Sequence, residues 1–294
     1  MSEPSHVEEQ RIEPQFSELR YSLSRFRQNP LVIFGTAIII CVIIVGVFAP
    51  YIAPYGPEQR NWENTLQPPS MQHIFGTDET GGDIFSRVVW ASRIDVGLAI
   101  LVVIADVAIA IVLGSVAGYL GGKTDEGLMR ITDVFLAFPY LILPMAVAAA
   151  IGRNLNNLAL ALAITGWPTH TRLLRGVILT ERERQYVEAA RAVGANKIRI
   201  MFRHILPNSF YPLLVSATFG LGDTILGFAS LSFLGFGAGS GVAEWGYMIS
   251  LGRDYIYRFP WLATFPGLAI FFTVIGFNLA GDGFRDILDP RLRR

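Results

Sequence analysis

Apolar positions along this chain gather into long runs; they do not scatter at the short periods of a soluble core. The clearest run is Leu31–Ala49, which carries no charge. About 20 apolar residues carry a helix across the hydrocarbon core of a bilayer. Six segments approach that length: Leu31–Ala49, Ile94–Leu120, Val134–Ile151, Leu158–Leu174, Pro212–Leu234 and Trp261–Ala280. The pattern predicts an all-α polytopic membrane protein with six transmembrane helices. The fourth segment is the weakest, because Gly166, Trp167 and Pro168 interrupt it. Pro139 and Pro144 predict a bend in the third. Gly114 and Gly118 stand four apart in the second, a spacing that lets helices pack closely.

The polar stretches between these runs give the organisation. Residues 1–30 are polar, and Phe16, Leu19, Leu23 and Phe26 recur there at helical spacing with Arg20, Arg25 and Arg27 between them. This predicts an amphipathic helix lying on the membrane surface. The run at 31–49 starts late and lacks a cleavage site, so it reads as a retained first span and not as a secretory signal. Residues 50–93 form a long loop rich in Pro, Gly and Asn. Five further helices fill 94–284, with a charged loop at 171–208, and 285–294 is a basic end.

Composition agrees with a membrane protein: 52% of residues are hydrophobic and the mean hydropathy is +0.42. The formal net charge is zero, which argues against nucleic acid as a partner. The single cysteine, Cys41, excludes an intrachain disulfide. Charge placement is more informative. With the N-terminus in the cytoplasm, the outer segments hold Arg60, Arg87, Arg93, Arg153, Arg253 and Arg258. The other 18 of the 24 basic residues lie inside. Positive residues favour the cytoplasmic side, so both termini are expected there.

Thr171–Asn208 alone holds eight of the 24. Thr180 and Glu183 have capping-box spacing, which predicts a helix from about Glu181 through Val193. Gly194 permits a turn. Ile198, Met201, Phe202 and Ile205 then predict one apolar helical face. Pro207 breaks that helix or starts the next one. Helix–turn–helix can mean DNA binding, but this unit is tethered at both ends between spans. Small residues at the bend let a partner approach closely, and Glu188 can accept a charge-assisted bond. In the outer loop, His73, Asp78, Glu79 and Asp83 lack the spacing of metal ligands; turn and packing chemistry explains GTDETGGD better. No G-x-x-x-x-G-K-[ST] loop is present.

The stretch EAARAVGANKIRIMFRHILPN resembles the EAA loop of ABC importer membrane subunits, matching at Glu188, Ala189, Ala190, Gly194, Leu206 and Pro207. His204 departs from the family's Ile. FGTDETGGDIFSRVVWASR, GYLGG, DVFLAFPYL, LSFLGFGAG and FNLAGDGFRDILDPRLR are similar to the dipeptide/oligopeptide/nickel permease family, most of all to its second membrane subunit. The matches run from about Phe16 to Arg294. The family often carries Glu near the end of the fifth span, where this chain has Phe228 in ILGFASLSFLG.

The resemblance implies a type I ABC importer-like fold with an EAA-type coupling loop. It implies a pore shared with a homologous permease, two ABC ATPase subunits that bind ATP and Mg, and an extracytoplasmic substrate-binding protein. This chain would itself hold no cofactor and catalyse no reaction. The membrane would be the prokaryotic plasma (inner) membrane. Relatives carry dipeptides, longer peptides, glutathione, nickel chelates or sugars. Asp106 and Asp223 lie within predicted spans, where a carboxylate costs at least about 2.5–3.5 kcal/mol. They are expected to face the bundle interior or, with Phe228, a translocation pathway. An ion-coupled secondary transporter or channel that uses the two carboxylates is the alternative, and a scaffold without cargo is a third reading.

Overall fold

The computed structural model describes residues 29–237, 239 and 241–288. The expected surface helix around Phe16–Phe26 and the basic residues beyond 288 lie outside these. Among the described residues the chain is helical, and the only strand-like pairing is one isolated bridge between Thr77 and Asp83.

Helix α1, Pro30–Val47, starts at a proline under Asn29, whose side chain accepts from Leu31 N at 3.1 Å. Leu31, Phe34, Ile40 and Val47 are all exposed although apolar, as a helix in contact with lipid requires. Helix α2, Ile84–Leu120, has 37 residues. That is roughly 55 Å at about 1.5 Å per residue, well beyond a hydrocarbon core of about 30 Å. Its start, ten residues before the expected span, is capped by Asp83, which accepts from Ser86 N at 2.8 Å.

The third expected span is two helices. Helix α3, Gly122–Leu136, stops ahead of Phe138–Pro139, and α4, Ile142–Ile151, begins beyond it. A residue before proline is pushed out of the helical region, and Pro139 has no N–H to continue the ladder. Pro144 lies in the first turn of α4, where a missing N–H costs little.

The fourth expected span behaves in the opposite way. Helix α5, Leu155–Glu181, runs unbroken through Pro168. Pro168 leaves the carbonyl of Ile164 without its usual donor, and the Trp167 indole Nε1 donates to that oxygen at 2.9 Å. Helices α2 and α5 form the most extensive packing in the bundle. Gly114 and Gly118 permit it: a Cβ on Gly114 would lie 3.0 Å from Thr171 O, and one on Gly118 would lie 2.9 Å from Ile178 Cβ.

A short helix α6, Gln185–Ala192, leads to α7, which is continuous over Lys197–Phe233. Pro207 does not interrupt the helical stretch; it lies in the first turn of the regular α-helical part, Leu206–Phe233, as the second expectation had it. A π-turn over Met201–Ile205 precedes it and absorbs the lost hydrogen bond. Helix α8, Trp245–Gly252, and α9, Trp261–Leu288, complete the bundle. Four helices, α1, α2, α7 and α9, are long and apolar enough to cross a membrane, and α4 is a shorter apolar helix.

Candidate functional site

Only a short stretch of Thr171–Asn208 is free of long helices. Helix α5 persists to Glu181, and α7 begins at Lys197. The capping box does not form. Thr180 is inside α5 with its hydroxyl donating back to Gly176 O at 3.2 Å, and α6 starts after Arg184 without a side-chain cap.

Helix α6 ends in a tight reversal. Gly194 has φ +81°, Gly194 N donates to Arg191 O at 3.0 Å, and Ala195 N donates to Ala190 O at 3.1 Å. This is a Schellman closure, which puts its glycine in the left-handed region. Two residues later Asn196 caps α7, accepting from Arg199 N at 2.7 Å.

One face of α6 is anchored and the other is open. Val187 is fully buried and Ala190 nearly so, in a cluster with Leu174 and Ile178 of α5, Ala110 of α2, and Ile200, Met201 and Ile205 of α7. Glu188, Ala189 and Gly194 are exposed, and among the described residues no atom beyond its chain neighbours lies within 4 Å of a Cβ built on Gly194. Leu206 is half-buried against the same cluster, and Pro207 is exposed. The expected apolar stripe is split: Met201 and Ile205 are buried, but Ile198 is 71% and Phe202 63% exposed. The π-turn shifts the phase of the helix and brings Ile200 inward instead.

Polar bonds hold the bend in place. Tyr186 OH donates to Glu181 Oε2 at 2.8 Å and accepts from Asn208 Nδ2 at 3.3 Å, tying α5, α6 and α7 at one point. Burial and the neighbouring Glu181 carboxylate push the Tyr186 hydroxyl up to about 12. Asn208 Nδ2 also donates to His204 O at 2.7 Å. Beside the bend, Arg175 meets Asp125 of α3 through two bonds of 2.5 and 2.6 Å. The Arg175 guanidinium holds the Asp125 carboxyl below its ordinary value.

The other three candidate residues do not share one surface. Asp106 is buried, so close to α5 that a Cβ on Gly166 would collide with its Oδ2, and its Oδ1 has no hydrogen-bond partner among the described residues. Phe228 is 1% exposed, packed with Val102, Ala148, Leu158 and Leu162. Asp223 is exposed. Five residues at about 100° each put Asp223 and Phe228 roughly 140° apart on α7, so they cannot share a strip. The sequence did not single out Tyr140, which sits in the break between α3 and α4, is 58% exposed and donates to Asp223 O at 2.9 Å. Nor did it single out His170, whose Nδ1 lies 2.9 Å from Ser216 Oγ between α5 and α7.

Residues 110–294, which span the bend and every helix after it, match the family model of the binding-protein-dependent transport system inner membrane component. The chain belongs to this family. Residues 17–69 match the N-terminal transmembrane domain of oligopeptide transport permease C. The dipeptide transport system permease protein DppC of Alkalihalophilus pseudofirmus is 41% identical over 277 residues, 94% of this chain and 91% of the relative. A probable D,D-dipeptide transport system permease protein, DdpC of Escherichia coli K12, is 43% identical over 263 residues, 90% and 88% of the two chains. The glutathione transport system permease protein GsiD of Escherichia coli O6 is 42% identical over 270 residues, 92% and 89%. This family of permeases accounts for a multi-pass membrane chain with apolar helices.

Proposed function

We propose that this chain forms half of the translocation pore of an ATP-driven importer for di- or oligopeptides or a related small solute. A homologous permease supplies the other half. Two ABC ATPase subunits bind ATP and Mg, and an extracytoplasmic protein delivers cargo. The peptide assignment rests on the relatives' names, which at similar identity include dipeptide, D,D-dipeptide and glutathione carriers. Six crossings, with α3–α4 and α5 completing the four longer helices, put both termini in the cytoplasm of a prokaryotic inner membrane. The 18-to-6 charge bias supports that orientation.

The bend at Glu188–Gly194 carries this reading. It is exposed where a partner would sit and buried where force would have to pass. An ATPase subunit bearing on Glu188, Ala189 and Gly194 moves α6. Helix α6 cannot move without α5, α2 and the start of α7, because Val187, Ala190, Ile200 and Ile205 lock them together. Asp223 and Tyr140 are the side chains we place on the pathway, and Asp106 acts from inside the bundle. In relation to the family's Glu, Phe228 is core packing.

In liposomes that hold the assembled transporter, Glu188→Arg is expected to lower transport-coupled ATP hydrolysis by about tenfold, the loss of one charge-assisted bond. Full coupling in that variant would sink the docking assignment. Asp223→Asn is expected to change uptake while the complex still assembles. Ion-driven uptake by this chain alone would instead favour the secondary-transporter reading.

A further inference from the structure

Beside the bend, two cavities meet. One, of about 500 Å³, is lined by Arg182, Arg191 and Lys197 with a single carboxylate, Glu183. The other, of about 260 Å³, is an apolar groove between Ile111, Val112 and Val116 of α2 and Ile198 and Phe202 of α7. Tyr119, Leu120 and Lys197 line both. We infer that the two cavities together bind one anionic phospholipid, with the headgroup among the cations and an acyl chain along α2.

Charge, depth and continuity select this occupant. Arg182 is fixed by Glu183 at 2.9 Å and by Gly118 O at 3.2 Å, and Arg191 by Arg182 O at 3.3 Å. Neither Arg191 nor Lys197 has an ion-pair partner among the described residues. The pocket therefore holds positive charge that the described residues leave uncompensated. The groove runs from Leu120 back to Ile111, about 13.5 Å of helix at about 1.5 Å per residue. One leaflet of hydrocarbon is about 15 Å deep. A soluble ATPase cannot follow the groove to that depth. The exposed Ile198 and Phe202 gain a partner that a water-facing surface would deny them.

The whole transporter, released from membranes of dioleoyl phosphatidylglycerol and dioleoyl phosphatidylcholine, is examined by native mass spectrometry. Phosphatidylglycerol is expected to be retained in preference to phosphatidylcholine. Lys197→Ala is expected to lower that retention about fivefold, the attraction of one cation near a lipid surface. Lys197→Arg should restore it, Phe202→Asn should weaken it from the groove side, and Lys123→Ala, outside both cavities, should leave it unchanged. Equal retention of the two lipids, or no effect of Lys197→Ala, overturns the assignment. Displacement of the lipid by excess inorganic phosphate also overturns it, since that marks an anion pocket without an acyl chain.

Discussion

At one end of α2, Asp78 accepts from Thr80 N at 2.8 Å and Gly82 N at 2.9 Å and pairs with the buried Arg87, while His73 bonds Asp83 at 2.9 Å. At the other end, Glu188, Ala189 and the Gly194 apex face outward and are exposed. The two ends lie roughly 55 Å apart along the helix axis. Both segments are polar, and both are tied to the bundle. Polar groups of the 50–83 loop bond one another and so build structure. The bend is held from behind by an apolar cluster and by the bonds of Tyr186 to Glu181 and Asn208, while Glu188 and Ala189 face outward. Where a protein withholds internal partners from well-positioned groups, the partner is expected to come from another molecule.

The comparison can be broken in four places. Asp78→Ala strands the buried Arg87 charge and is expected to cost about 3–5 kcal/mol, read as a large fall in thermal stability of the solubilised protein. A small effect would mean that the outer cluster is not structural. Glu188→Arg should do the reverse, leaving the melting temperature alone while coupling falls about tenfold. A matching loss of stability would erase the contrast between the ends. Tyr186→Phe removes the knot between α5, α6 and α7 and is expected to cost about 1 kcal/mol. Because this loosens the bend, coupling should fall more than stability does.

Asp125→Asn gives the smallest effect, about 0.2–1 kcal/mol at neutral pH. Arg175 depresses the folded-state pKa of Asp125, so its contribution is present at neutral pH and disappears as pH falls through that lowered value. The variant and the parent should therefore melt alike in acid. A difference that persisted there would remove the ion pair as its cause.

Long apolar runs made α1, α7 and α9 legible, because hydrophobicity marks the part of a helix that lipid covers. It does not mark where a helix ends. Helix α2 begins at Ile84 and α5 continues to Glu181, each with polar residues that extend the helix beyond its apolar stretch. Local rules failed where a distant or neighbouring group overrode them. Thr180 keeps helical bonds despite its capping-box spacing, and Pro168 is tolerated because an indole N–H replaces the missing donor. Pro139 had no such substitute, and the helix parts there. The motif residues of the bend were readable one by one. That Glu188 faces out while Val187 and Ala190 face in depends on where α6 starts, and the misread cap hid that start.

The turn at Gly194 has one further implication. With no side chain at its apex and, among the described residues, none beyond its chain neighbours against it, the feature presented there is a curve of main chain. If an ATPase subunit docks here as proposed, the glycine and the two hydrogen bonds behind it set the backbone curve that it meets beside the Glu188 side chain. On that reading, a single added methyl group at Gly194 would strain the left-handed turn and change the curve presented to the partner.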